Sequence, residues 1–153
     1  MALTPSTMLD LETPLPPFSL PAVAGGSISN ADLNEQPVLL MVICAHCPFV
    51  KHIEPELTRL DDDFSDRVQL IGVSSNSLIT HPQDGPEQLA DQAQRHGWSF
   101  PYLLDEQQTL ARALRAACTP EFYLFSPDGE GVQSLRYRGQ LDGSRPSNDV
   151  PLN

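Results

Sequence analysis

Two cysteines three residues apart are the side chains of this chain best suited to chemistry. Cys44 and Cys47 form a C-x-x-C motif that begins where an apolar run ends and a helical period starts. A cysteine at a helix N-terminus faces backbone N–H groups without partners and the positive end of the helix dipole, and both favour thiolate over thiol. The spacing also supplies a second thiol for exchange. The motif predicts a dithiol–disulfide pair in which Cys44 attacks and Cys47 resolves the mixed disulfide.

Two basic side chains accompany the cysteines. His46 lies between them, and Lys51, the only lysine of the chain, follows one helical turn later. Positive charge near a thiol lowers its pKa. We therefore expect His46 and Lys51 to support the thiolate.

Two other interpretations of the motif remain open. The cysteines could be buried structural residues, in a binding domain without catalysis. They could also hold zinc together with Cys118, but a structural zinc site needs four ligands and the spacing of Cys118, His46 and His52 matches no zinc module. We predict no metal site and no cofactor.

The cysteines follow a strand that the sequence predicts to be buried on both faces. Residues 38–43 and 68–73 are continuous apolar runs, which is typical of strands in a helix-covered parallel sheet. Between them, apolar residues recur at three- and four-residue steps and predict a helix, which we expect to kink at Pro55. Strand, helix and strand at this spacing predict a βαβ unit.

Further elements complete a single domain of 153 residues. Five prolines in the first 21 residues predict an extended N-terminal arm, with a short strand near Phe18 and Leu20. After the βαβ unit we expect a helix over 86–96, a strand over 101–104, a helix over about 107–117, and a hairpin of strands 121–125 and 135–138.

Charge and composition exclude several classes of function. Twenty acidic residues against nine basic ones give a net charge of −11, which argues against binding to nucleic acid or anionic lipid. No apolar stretch approaches the ~20 residues of a membrane-spanning helix, and the first twenty residues lack the regions of a signal peptide. We expect a cytoplasmic protein without nucleic-acid or membrane partners.

Four stretches resemble the peroxiredoxin-like branch of the redoxins, the group related to alkyl hydroperoxide reductase and thiol-specific antioxidant proteins. They are residues 43–52, residues 68–74, Leu104-Asp105-Glu106, and the run from Cys118 through Thr119-Pro120 to Phe125. The resemblance implies a thioredoxin-like three-layer α/β/α fold with a mixed central sheet and an N-terminal arm. It also implies a cis bond between Thr119 and Pro120, with both residues docking the substrate. Cys118 would then lie near the active site, as a third thiol or a small core residue.

The sequence departs from true peroxiredoxins at two positions. Their P-x-x-x-T-x-x-C motif, aligned on Cys47, has Leu40 at the proline position and Cys44 at the threonine position. A peroxidase built on Cys47 therefore lacks the threonine that orients the peroxide. We predict a thiol–disulfide oxidoreductase in redox homeostasis, with weak thiol-dependent peroxidase activity as the alternative. The expected partners are a protein or small-molecule disulfide, or a peroxide, and a reductant such as thioredoxin or glutathione.

The end of the chain carries the last prediction. Thioredoxin-fold domains close with a helix on one sheet face, whereas the residues after Gly139 are polar and include two prolines. We predict that this final helix is absent. An uncovered sheet face would be apolar, so we expect the N-terminal arm or a second subunit to cover it, and favour a homodimer.

Overall fold

The computed structural model describes residues 11–75, 85–116 and 119–139. These residues form seven strands, three α-helices and one turn of 3-10 helix. In chain order the elements are β1 (Ser19–Pro21), β2 (Ser27–Ser29), the 3-10 turn (Asn30–Asp32), β3 (Val38–Val42), α1 (Pro48–Phe64), β4 (Gln69–Ser74), α2 (Pro86–His96), β5 (Tyr102–Leu104), α3 (Thr109–Ala113), β6 (Glu121–Pro127) and β7 (Gln133–Gly139). Cys118 and residues 140–153, where the absence of a final helix is predicted, lie outside the described residues.

A five-stranded mixed sheet in the order β5-β4-β3-β6-β7 forms the centre of the fold. Strands β3, β4 and β5 run parallel, and β6 and β7 are added as antiparallel strands. The carboxyl ends of the parallel strands therefore lie on the same side of the sheet, and β6 begins on that side because Glu121 pairs with Val42. The cysteine motif and the Thr119-Pro120 segment both lie at these strand ends.

Helices cover both faces of the sheet, because side chains alternate between the faces along each strand. Met41 and Ile43 pack on one face against α1 and α2, through Val50, Leu57 and Leu89. On the other face, Leu40 and Val42 pack with α3 and the N-terminal arm. The three predicted layers are confirmed.

The N-terminal arm reaches both edges of this sheet. Strands β1 and β2 form an antiparallel hairpin around Gly25 and Gly26, which both have positive φ. Before the hairpin, Pro14 forms a bridge with Ser134 of β7. After β1, Ala22 forms a bridge with Leu103 of β5.

The predicted helices are confirmed, but the third is shorter than expected. The helix predicted over 86–96 is α2, and it ends at Gly97 in the left-handed conformation. Helix α3 covers only Thr109–Ala113, because Gln108 before it and Arg115 after it both have positive φ. The Asp105 carboxylate accepts hydrogen bonds from the N–H groups of Leu110 and Ala111, which fixes where this helix starts.

An apolar groove lies on the sheet beside α1, between Leu60 and Phe64 of the helix and Leu124 and Tyr137 of the strands. Phe64 and Tyr137 are exposed. The homodimer expected from an uncovered sheet face stays a prediction. Within the described ranges, no helix has both the length and the apolar character needed to cross a membrane.

Candidate active site

The junction between β3 and α1 positions the two cysteines. Strand β3 ends at Val42, and the N–H group of Ile43 still donates to the carbonyl oxygen of Val73 at 3.0 Å, so the motif starts from a fixed strand end. Helix α1 begins at Pro48, with Cys47 as its N-cap residue. Pro48 suits the first turn because proline lacks the N–H group that has no partner there. Both cysteines are buried, and no disulfide joins them.

Thr119 faces both sulfur atoms. Cys44 Sγ lies 3.9 Å from the Thr119 hydroxyl oxygen, and Cys47 Sγ lies 3.8 Å from the Thr119 carbonyl oxygen. The peptide bond between Thr119 and Pro120 is cis, as the resemblance implies. The structure thus brings together both cysteines and the segment that was predicted to dock the substrate.

Cys47 is the cysteine whose thiolate is stabilised. Its pKa is lowered from an ordinary 9.0 to about 5, chiefly by hydrogen bonding from the Cys44 side chain. Burial raises the pKa, and the Thr119 side chain and the N–H groups of Val50 and Phe49 lower it further. The donors outweigh the loss of solvation, so Cys47 is a thiolate at neutral pH.

This geometry corrects one step of the sequence argument. The first cysteine was expected to face the helix N-terminus, but α1 begins one residue after the second cysteine, so its N–H donors reach Cys47. Cys44 is instead the main donor to that thiolate. His46 is half-buried in the turn, and Lys51 is exposed on the first turns of α1. Neither is among the main groups that lower the pKa of Cys47.

Three buried polar residues beneath the motif were not found from the sequence. Gln92 of α2 donates hydrogen bonds to the Cys44 carbonyl oxygen at 3.0 Å and to the Glu54 carboxylate at 2.7 Å. Tyr102 donates from its hydroxyl to the Gln92 side-chain oxygen at 2.9 Å. The sequence carries a signal for two of them: Glu54 stands four residues after Val50 and Gln92 three after Leu89, at positions of the buried helix faces.

The part of the chain that the structure describes contains no assembled metal site. There, no group of three or more histidine, cysteine or carboxylate side chains is placed to hold a metal ion. Cys118, the third cysteine of the zinc alternative, lies outside that part.

Comparison with known families shows which family the chain belongs to. The sequence profile of the AhpC/TSA family matches residues 11–133, which include the cysteine motif, the cis-proline segment and every strand of the sheet up to the start of β7. The chain belongs to the AhpC/TSA family. The resemblance stated from the sequence is confirmed. Membership places the chain among the thiol-dependent redox proteins, whose activities are disulfide exchange and peroxide reduction.

Two solved structures resemble this AhpC/TSA protein over nearly its whole length. An uncharacterized conserved protein from Geobacillus kaustophilus is 41% identical, with a TM-score of 0.91, over 98% of this chain and 79% of its own. A hypothetical protein from Sinorhizobium meliloti is 30% identical, also with a TM-score of 0.91, over 98% of this chain and 81% of its own. No curated protein sequence matches significantly.

More distant structures confirm the thioredoxin fold. A thioredoxin-like protein solved in its oxidised form has a TM-score of 0.72 at 23% identity, over 89% of this chain and 88% of its own. A secreted disulfide oxidoreductase of Mycobacterium tuberculosis has a TM-score of 0.63 at 16% identity, over 76% of this chain and 79% of its own. At these identities the likeness concerns the fold alone.

Proposed function

We propose that this protein is a thiol–disulfide oxidoreductase in which Cys44 and Cys47 cycle between dithiol and disulfide. The observation that supports the proposal most strongly is the pair of buried cysteines at the start of α1, where the Cys44 side chain donates a hydrogen bond to Cys47 and lowers the pKa of Cys47 to about 5. A thiolate with an adjacent thiol has both the nucleophile and the resolving group that exchange requires. The cis Thr119-Pro120 segment lies against both sulfurs, where a docked substrate would meet them.

The reaction proceeds in two exchanges. The Cys47 thiolate attacks one sulfur of the substrate disulfide, that S–S bond breaks, and the other substrate sulfur leaves as a thiolate that takes up a proton. Cys44 then loses its proton and attacks the Cys47 sulfur, which forms the Cys44–Cys47 disulfide and releases the second substrate thiol. A reductant such as thioredoxin or glutathione then returns two electrons and one proton to the pair, which restores the Cys44 thiol and the Cys47 thiolate. These roles reverse the order expected from the sequence, because the Cys44 side chain, with smaller help from Thr119 and the first N–H groups of α1, stabilises the thiolate on Cys47.

Neighbouring residues have supporting roles in the proposal. Thr119 and Pro120 dock the substrate chain beside the sulfurs. His46 and Lys51 keep the supporting role expected from the sequence, in which basic side chains next to the motif attract an anionic leaving thiolate. Cys118 precedes Thr119 in the sequence and is a candidate third thiol.

Single-cysteine variants test both the activity and the roles. We expect wild-type protein to reduce insulin disulfides with dithiothreitol, and Cys44→Ser and Cys47→Ser each to lose turnover. Cys44→Ser retains the attacking thiolate and should accumulate a mixed disulfide with a substrate peptide, which mass spectrometry detects. Cys47→Ser should accumulate none. Val132→Ala, at an exposed site in the turn between β6 and β7, serves as the control with wild-type turnover.

The outcomes separate the activity from the assignment of roles. Full turnover in either cysteine variant would overturn the proposed function. A mixed disulfide on Cys44 in the Cys47→Ser variant would preserve the function and restore the order predicted from the sequence.

Peroxide reduction is the second candidate, and the Thr119 hydroxyl favours it. The sequence lacks the peroxiredoxin threonine before Cys47, but the structure brings Thr119, from the segment that precedes β6, to the sulfurs. In this reaction the Cys47 thiolate takes one peroxide oxygen and becomes a sulfenic acid, and the other oxygen leaves as water after protonation. Cys44 then condenses with the sulfenic acid, which releases a second water and forms the disulfide.

A peroxide assay distinguishes the two candidates. Hydrogen peroxide consumption with dithiothreitol should be slow if disulfide exchange is the main activity. Fast consumption that Thr119→Val removes and Thr119→Ser retains would place peroxide reduction first, because only serine keeps the hydroxyl.

A further inference from the structure

The side chain of Gln92 is completely buried at the interface between α1, α2 and the cysteine motif. An amide group has two N–H donors and one oxygen acceptor. The side-chain N–H groups of Gln92 donate to the Cys44 carbonyl oxygen at 3.0 Å and to Glu54 Oε2 at 2.7 Å. Both acceptors lie outside α2. Its oxygen accepts the hydroxyl of Tyr102 at 2.9 Å. Every polar atom of this amide is therefore engaged.

These contacts allow only one orientation of the amide. A flip would bring the Gln92 oxygen against the Cys44 carbonyl oxygen and the Glu54 carboxylate, both of which only accept hydrogen bonds. Such a repulsive arrangement in a buried site is costly. The donor to Cys44 therefore points permanently at the backbone of the motif.

Helix α2 holds Glu54 from a second direction. His96 Nε2 lies 3.1 Å from Glu54 Oε1, at an angle outside hydrogen-bond geometry. The two groups form an ion pair only when the imidazole is protonated. His96 in turn stacks on Trp98, with the ring centroids 5.3 Å apart. Glu54 is buried within α1, so the carboxylate that receives Gln92 has little freedom to move.

We propose that Gln92 is a positioning residue of the redox pair, and that its hydrogen bond to the Cys44 carbonyl sets the dithiol–disulfide equilibrium of Cys44 and Cys47. The inference rests on the proposed function, since it concerns the same pair. The hydrogen bond from Gln92 reaches the backbone carbonyl oxygen of Cys44. It therefore acts through the orientation of the Cys44 thiol toward Cys47.

The direction of the effect follows from the contacts of the reduced form. The Cys44 side chain is the main group that stabilises the Cys47 thiolate, and Gln92 fixes the residue that carries that donor. Without Gln92 the Cys44 thiol loses its fixed orientation and the thiolate loses stabilisation. A less stable reduced form shifts the equilibrium toward the disulfide.

Gln92→Met keeps the length of the side chain and removes all three hydrogen bonds. We expect its dithiol–disulfide equilibrium, measured against glutathione, to shift about tenfold toward the disulfide, which corresponds to about 30 mV for a two-electron couple. The midpoint pH of the thiolate absorbance near 240 nm should rise in the same variant. A structural role alone would move neither quantity.

Two further variants keep the test decisive. Tyr102→Phe removes one hydroxyl that aligns Gln92, and should shift the equilibrium in the same direction by about threefold; it is the fallback if Gln92→Met does not fold. Ser99→Ala is the matched control, because it also removes a hydrogen bond to a buried side chain of α1, away from the cysteines. There Ser99 Oγ donates to the Asp61 carboxylate at 2.8 Å. It should lower the melting temperature and leave the equilibrium within twofold of wild type.

The possible results separate this inference from the proposed function. If wild-type protein forms no Cys44–Cys47 disulfide in glutathione buffers, the proposed function fails. If the pair titrates but Gln92→Met or Tyr102→Phe leaves the equilibrium unchanged, or shifts it toward the dithiol, the positioning role of Gln92 is overturned. An equal shift in Ser99→Ala would overturn it as well.

Discussion

At the scale of single residues, Cys47 is subject to opposing influences. Burial favours the neutral thiol, whereas the Cys44 side chain, Thr119 and the first N–H groups of α1 favour the thiolate. The donors prevail because they converge on one sulfur from three directions: the motif, the cis-proline segment and the helix end. The pKa of about 5 is the net result of that competition.

The pH dependence of alkylation tests this result. The rate of Cys47 modification by iodoacetamide in a Cys44→Ser background, where the serine hydroxyl still donates, should rise through about pH 5 and level off near neutrality. In Cys44→Ala the main donor is lost, so the rate should still be rising above pH 7. Identical profiles for the two variants would contradict the role of Cys44 as donor.

Folding stability should follow the same titration. The pKa of Cys47 falls from 9.0 to about 5 on folding, so the unfolded chain binds more protons between these values. The stabilisation from the thiolate is therefore fully present above pH 9.0 and is lost as the pH falls through about 5. We expect the free energy of unfolding, measured in urea, to rise from pH 5 to pH 9 more steeply for wild type than for Cys47→Ser. Parallel curves would contradict the lowered pKa.

At the scale of elements, the end of α2 determines where its buried side chains lie. Gly97 adopts φ 66° and ends the helix, with its N–H group directed at the carbonyl oxygens of Ala93 and Gln94. Trp98 then donates to the Ala93 carbonyl oxygen at 3.0 Å. This turn brings Trp98 back against His96 and helps to orient the helix that carries Gln92.

A matched pair of glycine variants isolates the contribution of this helix end. Gly97 and Gly129 both have open space where a Cβ would lie, but only Gly97 has a positive φ. Gly97→Ala should therefore lower the free energy of unfolding by about 1 kcal/mol through backbone strain alone. Gly129→Ala should be neutral or stabilising by about 0.5 kcal/mol, because alanine restricts the unfolded chain. Urea unfolding of both variants measures the difference, and equal effects would contradict the argument.

The sequence predicts the strands and helices around the motif because each has a local signal. Apolar runs mark β3 and β4, and Pro86 and Gly97 bound α2. The short α3 is not predictable in this way, because Arg115 adopts a positive φ that its residue type disfavours.

Long-range contacts limit what could be predicted of the site. The cysteines are evident from their spacing, but the donor that reaches the Cys44 carbonyl comes from Gln92, forty-eight residues later. The sequence shows that a polar residue lies on a helix face, but it does not show which distant group that side chain contacts. The assignment of the thiolate also depended on the residue at which α1 begins, and helix ends are uncertain by one or two residues in any sequence analysis.

At the scale of the whole molecule, the N-terminal arm occupies both outer edges of the sheet. Leu15 donates to the Gln133 carbonyl oxygen of β7 at 2.9 Å, and Val23 donates to the Tyr102 carbonyl oxygen of β5 at 2.8 Å. Between these points Phe18 is buried in the core on the α3 side. Exposed sheet edges invite pairing with other chains, and here one segment covers parts of both.

Phe18→Ala should weaken both edges together. Loss of this buried ring should lower the free energy of unfolding by about 3 kcal/mol and speed hydrogen exchange at the amides of Leu15 and Val23. The amide of Met41, in the central strand, should lose less protection than either. Val132→Ala, which truncates an exposed side chain, should change the stability by under about 0.5 kcal/mol. Faster exchange at one edge only would show that the two ends of the arm dock independently.

The position of the arm has a consequence for the order of events during synthesis. Leu15 leaves the ribosome early, but the residue that accepts its hydrogen bond, Gln133, follows 118 positions later (133 minus 15). At about 5–20 residues per second, that partner is made roughly 6–24 s afterwards. The edge strand β5 also follows the arm by some eighty positions. The arm is therefore translated well before the strands that it covers, and it can complete its contacts with both outer strands only after β7 has been made.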